Sequence, residues 1–340
     1  MIYIYSYAFL LFMYTLGRLL KYEGALFWLL GVTPSVLLSI LRGPVGIDTA
    51  IYFLNYERFL SGAEEFDFEP GFVLLINALS QLIASPIFIQ GAISFVVALL
   101  FVLLGMKLDR KGFVFVVLLY PFFFFEFTMN AVRFGLAYCV FFLGVTYFYR
   151  NKLLSIGCLL SSFLFHITSL VFVVLTVFVN ANIRALFACI AVFLVGAFVL
   201  YDRILAKLLS YQAMESPSLF SGLAPLLLTL LFLLVVFMGF KREGVKVGDY
   251  KFIFSMIFFS VLFFCVAKLT YAGLRLQWLM LGYAISYGFY YFRDRIAIAK
   301  VDRILFFVIG FLGFFANYRY YISGAMVGDS PFLPYIFYWE

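Results

Sequence analysis

Apolar runs of membrane length recur from one end of the chain to the other, separated by short polar breaks in which lysine and arginine gather. A helix needs about twenty apolar residues to cross a bilayer core, and helices are the form in which such runs cross. The pattern predicts twelve helical spans, at about 3–18, 25–41, 86–106, 112–125, 131–149, 152–165, 168–181, 184–201, 223–240, 250–267, 274–292 and 303–317. The first run has no basic leader and no small-residue cleavage site, so it reads as the first membrane helix. Two stretches break the pattern. "PGFVLLINALSQLIAS" (70–85) carries Asn77, Ser80 and Gln81 and is shorter than the roughly twenty residues of a crossing. It reads as a re-entrant or interfacial helix. Residues 152–181 are long enough for one helix but read as two short, tilted ones meeting near His166.

The basic residues set the expected orientation. "KLDRKG" (107–112), "YRNK" (149–152), "KREGVKVGDYK" (241–251) and "RDRIAIAKVDR" (293–303) are placed in the cytoplasm by the positive-inside rule. The twelve-span arrangement that honours them puts both termini outside. It leaves 16 of the 24 lysines and arginines inside and 8 outside. The outer, periplasmic parts are then a first large loop with its short helix (42–85), a second loop (202–222) and the C-terminal segment (318–340).

Composition narrows the class. Of 340 residues, 66% are hydrophobic and 12% charged, where soluble domains carry about a quarter charged. The expected fold is therefore all-α, one polytopic integral membrane domain over 1–340. The net charge of +7 sits in short loops, so it reports orientation and not nucleic-acid binding. Cys139, Cys158, Cys189 and Cys265 lie in apolar segments without metal-ligand spacing and read as buried thiols.

With that topology drawn, the unusual polar residues gather on the outer side. Asp48 follows Gly46 in the first loop, and "GIDTAIYF" also reads as a helix start with an aspartate cap. Glu69 lies in "FDFEPGF". Glu126, Asn130 and Arg133 fall at the turn between the fourth and fifth spans, and His166, the one histidine, at the next outer turn. Arg203 and Lys207 lie in the second loop; Lys268, Tyr271 and Arg275 lie in "KLTYAGLRLQW". Ionisable groups at membrane depth are costly and mark sites or paired structure. Glu126 and Arg133, seven apart, fit either a pair or snorkelling side chains.

These residues stand in ordered motifs: "VGIDTAIYFLNY", "FEPGFVLLINALS", "NAVRFGLAYCVFF", "KLLSIGCLLSSFLFHITSLVF", "LRLQWLM" and "SPFLPYIFY". The set resembles the EpsG-like branch of the Wzy-type polysaccharide polymerases. Its elements here are Gly46-x-Asp48 with Tyr52 and Tyr56, Glu69-x-Gly71-Phe72, Asn130-x-x-Arg133, Phe165-His166, Arg275 and Pro334-Tyr335. Ile47 and Phe134 depart from the threonine and glutamine often found beside these motifs, and Phe134 removes an amide from the site.

The resemblance implies a GT-C-like helical bundle in the bacterial inner membrane, with its site facing the periplasm. The implied reaction transfers a growing glycan from undecaprenyl pyrophosphate to a hydroxyl of an incoming lipid-linked repeat unit. Such chemistry asks for cations on the pyrophosphate and a group that takes the hydroxyl proton. Arg133 and Arg275 are the expected clamp, with Arg203, Lys207 and Lys268 beside them. Asp48, Glu69, Glu126 and His166 are the candidate bases, and Asn130, Tyr52 and Tyr271 candidate substrate contacts. No cofactor is implied beyond the lipid carrier, and no divalent metal is required. Implied partners are lipid-linked oligosaccharides, membrane lipid, a Wzz-type chain-length regulator and a flippase, with no nucleic acid. A polyprenyl-dependent glycosyltransferase or O-antigen ligase would share this chemistry. A repeat-unit flippase would instead spread its charges through the bundle core.

Overall fold

A computed structural model describes residues 2–22, 24–46, 48–63, 68–108, 111–148, 150–180, 218, 220–244, 246–291, 299–323 and 332–339. Among these the chain is helical, with no strand beyond a single bridge between Arg42 and Phe337. The expected span 184–201, the acidic residues of "GAEEFDF" and Arg203 and Lys207 lie outside the described residues. Contacts group into two compact units, residues 1–169 with 306–340, and residues 170–305.

The first unit holds α1 (Ile2–Leu19), α2 (Ala25–Ile40), α3 (Thr49–Leu60), α4 (Pro70–Ser80), α5 (Pro86–Met106), α6 (Gly112–Phe125), α7 (Val132–Tyr147) and α8 (Lys152–Phe165). Its centre is α6. "GFVFVVLLYPFFFF" is apolar on every face, and a helix apolar all round is a buried one; all fourteen residues are buried. α1, α2 and α5 pack around it. Asn317 donates from Nδ2 to the carbonyls of Pro121 (2.8 Å) and Phe122 (3.2 Å), which serves acceptors near the proline in the helix interior.

The second unit holds α9 (Leu170–Asn180), α10 (Leu223–Glu243), α11 (Val247–Val266), α12 (Tyr271–Tyr291) and the opening residues of α13 (Lys300–Ser323). α12 packs on α10 and α11. Thr176 bonds the Tyr283 hydroxyl at 2.9 Å, tying α9 to α12. Arg242, in the last turn of α10, pairs with buried Asp302 at the start of α13.

Among the described residues six helices are long and apolar enough to cross a membrane: α1, α5, α6 with its extension to Asn130, α10, α11 and α13 to Tyr318. Shorter apolar helices accompany them. The chain is thus a multi-pass membrane protein; α3 lies in the expected first loop, α4 on the short stretch at 70–85, and the other helices overlap expected spans, with three differences of extent. α6 does not end in an open turn at 126, because a π-helical segment, Glu126–Asn130, carries it on. α13 runs to Ser323, beyond the expected end at 317 and into the segment read as an outer tail. The 70–85 stretch forms α4 only to Ser80, eleven residues or about 16 Å of rise, half of a bilayer core. The break expected near His166 is present: α8 ends at Phe165, His166 is extended (φ −163°, ψ 122°), and a 3₁₀ turn follows over Ile167–Ser169. Cys139 is buried, but Cys265 is exposed on the outer face of α11, where an apolar helix surface suits lipid.

α4 rests on α8 at Gly71. A Cβ there would stand 2.8 Å from both the Cβ and the carbonyl oxygen of Leu164. Gly71→Ala is therefore expected to push α4 away and cost about 1–3 kcal/mol. The check is the melting temperature in detergent, which should fall below that of the wild type.

Candidate functional site

The loop after α2 is organised by a buried arginine. Arg42 is 2% exposed and its Nη1 donates to the carbonyls of Val45 and Met129 and to Thr49 Oγ1 (2.8 Å); Nη2 donates to the carbonyl of Thr128 at 3.4 Å. Burial lowers its pKa to about 10, which still leaves it charged at neutral pH. The strand-like C-terminal segment closes over the same loop. Gly43 N–H donates to Ile336 O (2.8 Å), Tyr338 N–H to Leu41 O (3.0 Å) and the Tyr335 hydroxyl to Leu38 O (2.6 Å). Gly46 turns the chain with φ +114°, in the left-handed region that glycine tolerates, and a Cβ there would meet Met129 O at 2.6 Å.

This loop presents Asp48 to the π segment. Asn130 accepts the backbone N–H of Asp48 on Oδ1 (3.0 Å) and donates from Nδ2 to Glu126 Oε1 (2.9 Å). One carboxamide thus fixes the first loop and a carboxylate together. The π geometry makes this possible: Ala131 N–H reaches back five residues to Glu126 O (2.7 Å), and Ser94 Oγ donates to Thr128 O (2.7 Å). π-bulges of this kind recur at functional sites. Asp48 stands at the N-cap of α3, but its side chain makes no capping bond.

Arg133, the second residue of α7, points into a cluster drawn from three other elements. Its Nη1 donates to Glu69 Oε2 at 2.7 Å. Its guanidinium lies over the rings of Phe68 (4.7 Å) and Tyr52 (5.8 Å). Glu69 Oε1 accepts a long bond from Ile167 N–H (3.4 Å) and stands 3.8 Å from His166 Nδ1. The side chains of Arg133, Glu69 and His166 keep 23%, 19% and 20% of their surface exposed, so the cluster is largely desolvated yet open to a ligand.

The arrangement revises several roles. Arg133 pairs with Glu69, 64 residues away in sequence, a partner that spacing alone did not offer, and Glu126 accepts from the Asn130 amide. Tyr52, expected as a substrate contact, is 3% exposed and packs against Tyr56, Phe68 and Phe72. It supports Arg133 from below, and burial raises its phenol pKa, against the pull of the guanidinium beside it. Lys268, Tyr271 and Arg275 belong to the second unit. There Lys268 donates to Ser221 O (2.8 Å) and stands over the Phe264 ring at 4.1 Å, a local structural engagement. Arg42 and Thr168 were not expected. A lone arginine before Gly-Pro reads as an outer loop charge, and only its many carbonyl acceptors reveal its work. Among the described residues no three His, Cys, Asp or Glu side chains group as metal ligands.

The family model of the EpsG family matches residues 25–337, from the start of α2 to the residue bridged to Arg42. No curated protein and no solved structure matches the chain.

Proposed function

The chain belongs to the EpsG family, and from that premise we propose that it is a polysaccharide polymerase acting on undecaprenyl-pyrophosphate-linked repeat units at the periplasmic face of the inner membrane. A hydroxyl oxygen of the incoming unit attacks the anomeric carbon of the lipid-linked glycan. The carbon–oxygen bond to pyrophosphate breaks, its electron pair leaves with undecaprenyl pyrophosphate, and the hydroxyl proton passes to a group of the site. The observation that carries this reading is the cluster of Arg133, Glu69 and His166 at a helix break in a membrane protein. A guanidinium at the start of α7 suits a pyrophosphate, because it offers a planar fork of donors. The Glu69 bond holds that fork in place before substrate arrives, and preorganised charge of this kind stabilises a leaving anion. Asp48 and Glu126, held by one asparagine, supply further carboxylates nearby in the same unit.

A deletion strain tests the reading through its surface glycans. Loss of polymerase should leave single repeat units on the acceptor, restored to long chains by the wild-type gene. Loss of every repeat would point to a ligase, and unchanged chains would refute the assignment. The orientation has its own test. Gly62 and Gly244 lie in open turns with no neighbouring atom within 4 Å of an added Cβ, so both tolerate a reporter. Fusions there should report opposite sides of the membrane, Gly62 outside and Gly244 inside; signals from the same side would refute the twelve-span arrangement.

A further inference from the structure

His166 is the only histidine of the chain, and its immediate neighbours decide what its ring can do. Its Nδ1 is met twice by Thr168, two residues on. The backbone N–H of Thr168 lies at 3.2 Å and its hydroxyl at 2.5 Å. A backbone N–H can only donate, so Nδ1 keeps its lone pair and a neutral ring carries its proton on Nε2. The hydroxyl at the same nitrogen is then a second donor. The ring plane is fixed as well, since Phe134 stands edge-on to it with centroids 5.8 Å apart. A base acting through Nε2 would need the opposite tautomer. A base acting through Nδ1 would have to break both contacts to Thr168. Neither step is favoured by this geometry, which leaves Nε2–H as the ring's donor.

We propose that Thr168 is a positioning residue that fixes His166 as a hydrogen-bond donor through Nε2–H, directed to an oxygen of the substrate pyrophosphate, and that the acceptor hydroxyl's proton goes to a carboxylate of the cluster. The function part rests on the polymerase reading; the tautomer does not. Pyrophosphate is the chosen acceptor because Glu69 lies between the two side chains: one of its oxygens is 3.8 Å from His166 Nδ1 and the other 2.7 Å from the Arg133 guanidinium, which puts the imidazole in the same cluster as the cation. A neutral donor next to a guanidinium suits an oxygen that gains negative charge as the glycosidic bond breaks.

The single histidine makes the tautomer directly readable. Protein labelled with ¹⁵N-histidine gives one pair of imidazole nitrogen signals. With the ring neutral, the expected spectrum has Nδ1 unprotonated and Nε2 protonated, and inorganic pyrophosphate should shift the Nε2 signal. Thr168→Ser should keep this pattern and Thr168→Val should add the other tautomer. A protonated Nδ1 in the wild type would overturn the proposal. Turnover supplies the second arm. The amide of His166→Gln can donate near the Nε2 position but cannot take a proton, so this variant should stay within about tenfold of wild type. His166→Ala should lose about two to three orders of magnitude, as for a removed donor to a developing anion. Equal loss in both variants would make His166 the base and overturn the donor role. A wild-type protein that makes no polymer would overturn the polymerase reading alone, because the spectrum needs no turnover.

Discussion

Arg133→Lys should abolish polymer almost as completely as Arg133→Ala, with equal protein in the membrane. The expected loss is about two to three orders of magnitude in rate, the size seen when a donor to a developing anion is removed. Lysine keeps the charge, so a snorkelling or purely electrostatic role predicts rescue. The structure argues otherwise. Arg133 donates to Glu69 at 2.7 Å and hydrogen-bonds the Tyr52 side chain, while its guanidinium stands over the Phe68 ring at 4.7 Å. A compact ammonium cannot hold an edge contact, a face contact and a pyrophosphate together. Normal chain length from the lysine variant would show that charge alone suffices.

Arg42→Ala should produce the largest loss of stability. It removes the donors serving the carbonyls of Val45, Thr128 and Met129 and the Thr49 hydroxyl. Thr49 and Ser94 still serve those carbonyls, so the cost is that of the hydrogen bonds made by the charged group, about 1.5–3 kcal/mol each. Against a total stability of about 5–15 kcal/mol, that is enough to lower both melting temperature and membrane yield sharply. Arg42→Lys should fall between, since three donors on one nitrogen cannot reach acceptors spread over two segments. The loss is structural in origin but reaches the site, because the same carbonyls belong to the π segment that aims Asn130 and Glu126. An alanine variant with wild-type melting temperature and yield would contradict this account of Arg42.

The helices were largely legible because apolar length is a local signal. α2, α5 and α7 fall within two residues of their expected limits at both ends. The break at His166 was legible through loop consistency, although nothing in "FHITSL" displays the Thr168 contacts. The π segment was not legible. "EFTMN" has no distinguishing period, and what holds its carbonyls is Ser94 and Arg42, residues distant in sequence. The site followed the same division. Glu69, Arg133 and His166 could be named from residue type and motif, but not as a cluster, because their pairing spans 64 and 97 positions. The burial of Tyr52 was not legible for a related reason: Phe68 and Phe72, which pack on it, come from a later segment.

The polymerase reading meets its most direct test with purified protein in liposomes supplied with one lipid-linked repeat unit. The account predicts a ladder of lengthening lipid-linked glycans, one undecaprenyl pyrophosphate released per bond formed, and neither product from the Arg133→Lys protein. Repeat units that cross the bilayer unextended, with no undecaprenyl pyrophosphate released, would contradict it.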